Sequence, residues 1–265
     1  MEQSEKNIKL VSNKNSRVIL PNILTLVGVC IGLTSIKFAF DGKFELSIIA
    51  VVIAGVIDGL DGRIARLIKG TSKVGKELDS LTDVISFGVA PAFIMYFWSL
   101  NEIGRLGWLI ALIYVICVAL RLARFNVNSA VESSWKDNFF EGIPSPAGGI
   151  LVLMPLIYSL SEVQFFNLDY NIIVPTLFIV ISILLISKVP TYSLKKIVVP
   201  RSATIFLLLF VVLYFGLLLI YTFNTMIISG LLYLLMVPVS TIHYFKIIKN
   251  KKIDENNIDH HEDVL

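Results

Sequence analysis

Long apolar runs separated by short polar segments extend along almost the whole chain. Most runs approach or exceed the roughly 20 residues of helix that cross about 30 Å of hydrocarbon. The pattern therefore predicts an all-α polytopic membrane helix bundle of about eight transmembrane helices. The expected spans are residues 18–40, 46–67, 78–100, 107–123, 147–160, 172–187, 203–223 and 226–245.

Composition supports a membrane protein and excludes several other classes. Of the 265 residues, 55% are hydrophobic and only 16% are charged, whereas globular proteins have about 25% charged residues. Disordered proteins, disulfide-stapled miniproteins and ordinary soluble enzymes do not have this composition. The two cysteines, Cys30 and Cys117, lie inside apolar runs and form no metal or disulfide pattern. A net charge of +3 is too small to indicate a nucleic-acid partner, and we expect none.

The distribution of basic residues predicts the orientation of the helices. With eight spans, 20 of the 23 basic residues fall on one side, and the exceptions are Lys37, Lys43 and Arg105. The positive-inside rule assigns the basic side, which includes both termini, to the cytoplasm. We expect a cytoplasmic N-terminal segment at 1–17, a membrane domain at 18–246 and a charged, disordered tail at 247–265. An uncleaved first helix fits a bacterial cytoplasmic membrane.

Two pairs of aspartates interrupt the second and third spans. Asp58 and Asp61 are three residues apart, and Asp79 and Asp83 are four apart, so each pair shares a helix face. Four adjacent carboxylates repel one another unless cations lie between them, and hard divalent ions prefer oxygen ligands. Two such ions commonly clamp a phosphoryl group. The alternative for any single aspartate is a helix N-cap or a partner of a nearby Lys or Arg.

Small residues and an arginine accompany the first aspartate pair. Gly55, Gly59 and Gly62 lie on or near one helix face and permit close approach of a ligand or, alternatively, simple helix packing. Gly75 allows backbone or ligand to come close beside the turn. Arg66 lies one turn beyond Asp61, where its guanidinium suits a diphosphate.

The complete block from Asp58 to Asp83 is D-x2-D-G-x2-A-R-x8-G-x3-D-x3-D. It resembles the signature of the CDP-alcohol phosphotransferase family, whose members are integral membrane enzymes that transfer a substituted phosphoryl group from a CDP-linked donor to an alcohol. The resemblance implies an active site at the cytoplasmic mouth, with two divalent cations, Mg²⁺ or Mn²⁺, bound by Asp58, Asp61, Asp79 and Asp83. It further implies that Asp83 is the general base, and that the protein forms a homodimer.

The same resemblance implies a set of residues that contact the donor. Within the block these are Gly62, Ala65, Arg66 and Gly75, to which we add the hydroxyl of Ser72 in the connecting turn. The first span begins with Pro-Asn-x-x-Thr, as in relatives, so Asn22 and Thr25 are also expected to reach the donor. The alternative for these two residues is an N-terminal helix cap.

Three further segments resemble the serine-accepting branch of the family: residues 86–92, 121–126 and 142–148. Arg121 and Arg124 share a helix face at the cytoplasmic end of the fourth span and can hold the serine carboxylate. Asn126 and Ser145 can add neutral hydrogen bonds. Two alternatives remain for the arginines: positive-inside anchoring, and binding of the phosphate of glycerol 3-phosphate or inositol phosphate.

The expected reaction is transfer of the phosphatidyl group from CDP-diacylglycerol to the hydroxyl of L-serine, with release of CMP. A donor with acyl tails in the bilayer and a nucleotide in water needs a site at this depth. The alternatives are a related synthase of the phosphatidylglycerophosphate or phosphatidylinositol type and, from a different class, a cation-coupled transporter. Transporter sites tend to lie near the bilayer midplane within an internal repeat, whereas these aspartates lie toward one end of their helices.

Overall fold

A computed structural model describes residues 13–68, 70, 72–128, 139–162, 164, 167–192 and 201–262. Helices account for most of this part of the chain. They are α1 (Asn13–Phe40), α2 (Phe44–Leu67), α3 (Lys73–Asp83), α4 (Ala90–Trp98), α5 (Arg105–Asn128), α6 (Ser145–Val152), α7 (Met154–Leu160), α8 (Tyr170–Ile186), α9 (Arg201–Ile220) and α10 (Thr222–Glu262). Two short strands, β1 (Phe139–Glu141) and β2 (Pro190–Tyr192), pair antiparallel with Phe139 opposite Tyr192.

Five helical segments among the described residues are long and apolar enough to cross a membrane, which makes this a membrane protein of the all-α class. They are Ile19–Phe40, Lys73–Trp98, Arg105–Val127, Ala203–Ile220 and Thr222–Ile247. The helix α2 has 24 residues, but the charged residues in its second half exclude it from this set on composition.

The expected count of eight spans is not confirmed. The predicted span 147–160 consists of two helices, α6 with 8 residues and α7 with 7 residues, separated at Leu153. These helices cover only about 10–12 Å each at 1.5 Å per residue. The predicted span 172–187 corresponds to α8, whose 17 residues cover about 26 Å, slightly less than a hydrocarbon core.

The third span contains a π-helical segment. Helix α3 continues from Asp83 directly into π-helical residues Val84–Val89 and then into α4. Glycines let two neighbouring helices approach this segment. A Cβ on Gly32 of α1 would lie 2.5 Å from Ser86 Oγ, and a Cβ on Gly149 of α6 would lie 3.1 Å from Phe87 Cα. π-helical turns are frequent at functional sites, and this one begins directly after the last aspartate.

The core contains buried residues of α2, the π-helical segment, α4, α5, α6, α7 and α8. Tyr114 of α5 is fully buried there, donates a hydrogen bond to Phe87 O at 2.7 Å and packs edge-on against Phe178 of α8. In contrast, the span Ala203–Ile220 of α9 buries none of its residues. An apolar helix exposed in this way is compatible with a lipid environment.

The ends of the described chain differ from the expected domain boundaries. Helix α1 begins at Asn13, five residues before the expected start at residue 18, and residues 1–12 of the expected N-terminal segment lie outside the described residues. Helix α10 continues through the charged tail to Glu262, where we expected disorder. A polar sequence can extend a helix that the preceding apolar segment has already nucleated. The expected domain boundaries stay predictions.

Candidate active site

Three of the four aspartates of the sequence block form a compact cluster. Helices α2 and α3 bring one carboxylate oxygen each of Asp58, Asp61 and Asp79 within 4.8 Å of one another. Asp61 is 3% exposed, and the other two are half-buried. The i,i+3 spacing on α2 aims Asp58 and Asp61 at the same neighbouring helix, α3, which supplies Asp79.

The fourth aspartate, Asp83, lies one turn further into the protein from Asp79. Its carboxyl group interacts directly with that of Asp58 and electrostatically with that of Asp79. The Oδ1 atom of Asp83 is buried and has no hydrogen-bond partner among the described residues. The only positive side chain whose charge acts on Asp83 in that part of the chain is Arg121. Asp83 therefore contacts the cluster through Asp58, while its Oδ1 atom is buried in the protein interior.

The described residues provide little compensation for these four negative charges. The single ion pair among them joins Lys37 and Asp41 at the opposite end of α1. None of the four aspartates pairs with a Lys or Arg within the described part of the chain, and none caps the N-terminus of a helix through its side chain. Clustered, unpaired carboxylate oxygens are the ligands that hard divalent cations prefer. The cluster can therefore hold metal.

Helix α1 contributes a hydroxyl to the cluster. Thr25 Oγ1 lies 2.6 Å from Asp61 Oδ2 and 3.0 Å from Pro21 O, so it can donate to either oxygen. Thr25 is also 4% exposed. Because α1 begins at Asn13, Asn22 and Thr25 are well inside the helix, and the alternative that they form its N-terminal cap is wrong. Thr25 instead orients one of the clustered carboxylates.

A cavity of about 550 Å³ opens beside the aspartate cluster. Asp61 and Asp79 form part of its wall, so a ligand in the cavity would contact the cluster. All seven residues expected to contact the donor line it as well: Asn22, Thr25, Gly62, Ala65, Arg66, Ser72 and Gly75. The structure thus brings the expected donor residues from α1, α2 and α3 together around one space.

Sequence reasoning missed four residues that line this cavity: Pro21, Gly70, Lys73 and Lys76. The two lysines add positive charge to the wall that contains Arg66. A signal for them was present, because both lie within three residues of the motif glycine Gly75. They were assigned only to the positive-inside pattern, since that pattern does not distinguish ligand-facing cations from anchoring ones.

Close packing at the cavity explains two of the motif positions. Ser72 is the N-cap of α3, and its Oγ accepts a hydrogen bond from Gly75 N at 2.9 Å. A Cβ on Gly75 would lie 2.8 Å from Asn22 Oδ1 and 3.1 Å from Ser72 Oγ. Only glycine therefore lets the start of α3 approach α1 this closely, and the contact holds the Asn22 side chain at the cavity wall.

The three glycines of α2 have different surroundings. A Cβ on Gly55 would meet the ring of Phe87 at 3.4 Å, which is ordinary helix packing. Cβ atoms on Gly59 and Gly62 would meet nothing within 4 Å, and Gly62 lines the cavity. The expected close approach of a neighbouring helix therefore applies to Gly55 alone, while Gly62 leaves room for a ligand.

The four residues expected to bind the acceptor do not all lie together. Arg121 Nη1 donates to Ser145 Oγ at 2.9 Å, and both side chains are buried. Arg124 Nη2 instead donates to the carbonyl oxygens of Ile186 at 2.9 Å and Ser187 at 3.3 Å, at the C-terminal end of α8.

The remaining acceptor candidate, Asn126, also has a different position. Its Nδ2 atom donates to Ser80 Oγ of α3 at 2.9 Å. This bond connects α5 to α3 at Ser80, the residue that follows Asp79 in the sequence. Arg121 and Ser145 thus form one buried pair near Asp83, whereas Arg124 and Asn126 connect helices.

The fold and site together define a polytopic membrane protein with clustered carboxylates beside a cavity of about 550 Å³. The family model for CDP-alcohol phosphatidyltransferases matches residues 18–242. The chain therefore belongs to that family.

Individual relatives come from bacteria and archaea. A CDP-diacylglycerol–serine O-phosphatidyltransferase of Mycobacterium leprae is 38% identical over 189 residues, which are 69% of this chain and 61% of the relative. A protein of the same name from Helicobacter pylori is 34% identical over 201 residues, 76% of this chain and 83% of the relative. An archaetidylserine synthase of Methanothermobacter thermautotrophicus is 34% identical over 142 residues, 52% of this chain and 57% of the relative. The chain spans less than two thirds of the mycobacterial relative.

Proposed function

We propose that this protein transfers the phosphatidyl group from CDP-diacylglycerol to the hydroxyl of L-serine and releases CMP, a step in phospholipid synthesis. The observation that carries the proposal is the position of two clustered aspartates, Asp61 and Asp79, in the wall of a cavity lined by every expected donor residue. The names of the relatives from three organisms support serine as the acceptor.

In this proposal Asp58, Asp61, Asp79 and Asp83 hold two divalent cations, Mg²⁺ or Mn²⁺. When bound, such ions stabilise the charge that develops on a phosphoryl group under attack and on its leaving oxygen. The fit rests on the oxygen ligands, on their separation of at most 4.8 Å for three of the four residues, and on the absence of protein cations paired with them among the described residues.

The proposed general base is Asp83. Its buried Oδ1 atom lacks a hydrogen-bond partner in the described part of the chain and can accept the proton of the serine hydroxyl. As that proton moves to Asp83, the serine oxygen forms a bond to the phosphorus atom that carries diacylglycerol. The bond between this phosphorus and the CMP oxygen breaks, and CMP leaves with the electron pair.

The proposed donor site is the cavity. Arg66, Lys73 and Lys76 supply positive charge for the diphosphate, and the arginine can bind it through two parallel hydrogen bonds. Gly62 and Gly75 leave room for it because they lack side chains. Four more residues complete the wall: Asn22, Thr25, Ala65 and Ser72. Of these, Asn22 offers an amide group to the nucleotide, and Thr25 and Ser72 offer hydroxyl groups.

The proposed acceptor site contains Arg121 and Ser145. We assign Arg124 and Asn126 supporting roles in this site, because Arg124 donates to the end of α8 and Asn126 donates to Ser80 of α3. One guanidinium matches the single negative charge of a carboxylate better than the two charges of a phosphate. This charge balance favours serine over the phosphorylated alcohols that remained as alternatives.

The proposed orientation puts both termini and the aspartate cluster at the cytoplasmic face of a bacterial inner membrane. The excess of basic residues in the corresponding segments supports this orientation. The homodimer expected from the family resemblance stays a prediction.

The direct test is CMP release by the purified protein in detergent, with CDP-diacylglycerol and Mn²⁺ and with L-serine, glycerol 3-phosphate or myo-inositol as the acceptor. We expect release that depends on L-serine. Release only with glycerol 3-phosphate or inositol would contradict the assignment of serine while retaining the reaction class. Ion flux in proteoliposomes that needs no CDP-lipid, together with no CMP release, would support a transporter instead.

A further inference from the structure

Three buried polar atoms near the inner end of the aspartate cluster lack hydrogen-bond partners among the described residues: Asp83 Oδ1, Arg121 Nε and Tyr233 Oη. Leaving a buried donor or acceptor unpaired costs about 1–3 kcal/mol, so most such groups in proteins are paired. Arg121 is only 8% exposed. Three unpaired groups in one neighbourhood therefore indicate a place for a polar ligand.

Electrostatic interactions connect the three residues. The charge of Arg121 acts both on the Asp83 carboxyl group and on the Tyr233 hydroxyl. They come from three separate elements, since Asp83 ends α3, Arg121 belongs to α5 and Tyr233 belongs to α10. Their proximity is thus a product of the tertiary fold.

The neighbours of Tyr233 do not satisfy its hydroxyl group. Thr191 of β2 lies close to it, but Thr191 Oγ1 donates its proton to Gly142 O at 2.7 Å. Strand β2 and α10 are also joined by the hydrogen bond from Ser240 Oγ to Pro190 O at 2.7 Å. These bonds hold α10 against β2, and the Tyr233 hydroxyl is buried without a hydrogen-bond partner of standard geometry among the described residues.

We propose that Tyr233 is a specificity-determining residue of the acceptor site, where its hydroxyl and Arg121 Nε bind the carboxylate of the acceptor amino acid. The inference rests on the proposed function and deepens it, because it adds helix α10 to a site otherwise built from α3, α5 and α6. The third unpaired atom, Asp83 Oδ1, then faces the acceptor hydroxyl.

The three atoms complement two groups of serine, its carboxylate and its hydroxyl. Two hydrogen-bond donors match a carboxylate, which only accepts hydrogen bonds, and one carboxylate oxygen matches a hydroxyl, which donates. A carboxylate also provides the counter-charge for the buried guanidinium of Arg121, which donates a hydrogen bond to the neutral Ser145. An acceptor without an anionic group would leave both donors unpaired.

The test is Tyr233→Phe in the full-length protein, with CMP release measured against L-serine concentration and against CDP-diacylglycerol concentration. A hydrogen bond to a charged group is worth about 1.5–3 kcal/mol, which corresponds to a rise of at least about 10-fold in KM for serine. We expect KM for CDP-diacylglycerol to stay within about twofold of wild type. The melting temperature should not fall, because the variant removes a buried hydroxyl that has no partner among the described residues.

Two comparisons isolate the carboxylate. Ethanolamine has the hydroxyl and amino groups of serine but no carboxylate. Tyr233→Phe should therefore leave the rate of CMP release with ethanolamine unchanged. The preference for serine over ethanolamine should fall by the same factor by which KM for serine rises. The matched control is Tyr214→Phe, which removes a hydroxyl that contacts Ser229 Oγ at 3.1 Å between α9 and α10. This control should leave KM for serine unchanged.

Several outcomes would overturn the inference. One is an unchanged KM for serine in an active Tyr233→Phe variant. Another is an equal loss of CMP release with serine and with ethanolamine. A third is a raised KM for glycerol 3-phosphate, which would assign the two donors to a phosphate. Failure of the proposed function is distinguishable, because the wild-type protein itself would then release no CMP with serine. In that case the assignment of Tyr233 to a serine site also falls.

Discussion

The aspartate cluster has two sides with different construction. On the α1 side, Asp61 and Asp79 line a cavity of about 550 Å³ whose wall includes Arg66, Lys73 and Lys76. On the α5 side, Asp83 adjoins the buried pair of Arg121 and Ser145. The first side has space and excess positive charge, whereas the second is packed closely and contains unpaired buried atoms.

This difference matches the sizes of the two proposed substrates. A nucleotide diphosphate with a lipid tail needs an open space and cations, while serine needs a small number of well-placed polar groups. A large site can be assembled from short loops and glycines, as in the turn between α2 and α3. A small site needs side chains fixed by surrounding helices, and Arg121 is fixed by α6 through Ser145.

The largest expected effect follows from metal removal, because both sides depend on the same cluster. Excess EDTA should reduce CMP release to background, and excess Mg²⁺ or Mn²⁺ should restore it. Full activity after chelation and gel filtration would contradict the assignment of the four aspartates to metal.

Substitution of Asp83 should affect chemistry more than donor binding. A general base contributes about 10²–10⁴-fold to the rate, so Asp83→Asn should lower kcat by a factor in that range. Binding of CDP-diacylglycerol, measured by calorimetry, should remain detectable. The control is Asp41→Asn, which removes an aspartate paired with Lys37 away from the cluster and should leave kcat unchanged. Comparable turnover of Asp83→Asn and wild type would exclude Asp83 as the base.

Gly75→Ala should affect only the donor side. Its Cβ would lie 2.8 Å from Asn22 Oδ1, so α1 and α3 must separate or Asn22 must leave the cavity wall. Overpacking of this kind costs about 1–3 kcal/mol, and we expect KM for CDP-diacylglycerol to rise about 5-fold or more. Gly59→Ala is the control, since nothing lies within 4 Å of its Cβ. A rise in KM for serine alone would contradict the separation of the two sides.

The smallest expected effect distinguishes the two arginines. Arg124→Met removes donors to Ile186 O and Ser187 O at the end of α8, which should lower the melting temperature by about 2–4 °C for each kcal/mol lost. Each of these two hydrogen bonds contributes about 1 kcal/mol to the contact between α5 and α8. Because they stabilise this contact and do not bind the ligand, we expect KM for serine to stay within about threefold of wild type. A 10-fold rise in KM for serine without a stability change would make Arg124 a direct ligand.

Seven of the residues that line the cavity could be selected from the sequence, and their role as donor contacts stays a prediction. These residues lie within two short stretches, so the motif from Asp58 to Asp83 and the Pro-Asn-x-x-Thr segment were enough to select them. The membrane class followed from hydropathy for the same reason, because each span is a local property of about 20 residues.

Several features of the fold could not be predicted from sequence patterns within a single helix. The break between α6 and α7 was not predicted, since residues 147–160 are predominantly apolar and hydropathy does not register an interruption at a single residue. The different partners of Arg121 and Arg124 were not predicted either. Their spacing puts them on one helix face, but α6 reaches the first and the end of α8 reaches the second.

The sequence by itself determined the membrane class, the family motif and the identity of the four aspartates, because these depend on composition and on spacing within one or two helices. Only the tertiary structure decided which polar groups meet around them. Asp83, Arg121 and Tyr233 are separated by up to 150 residues in the chain. The packing of α3, α5 and α10 brings them together, and no periodicity within one helix encodes contacts between helices.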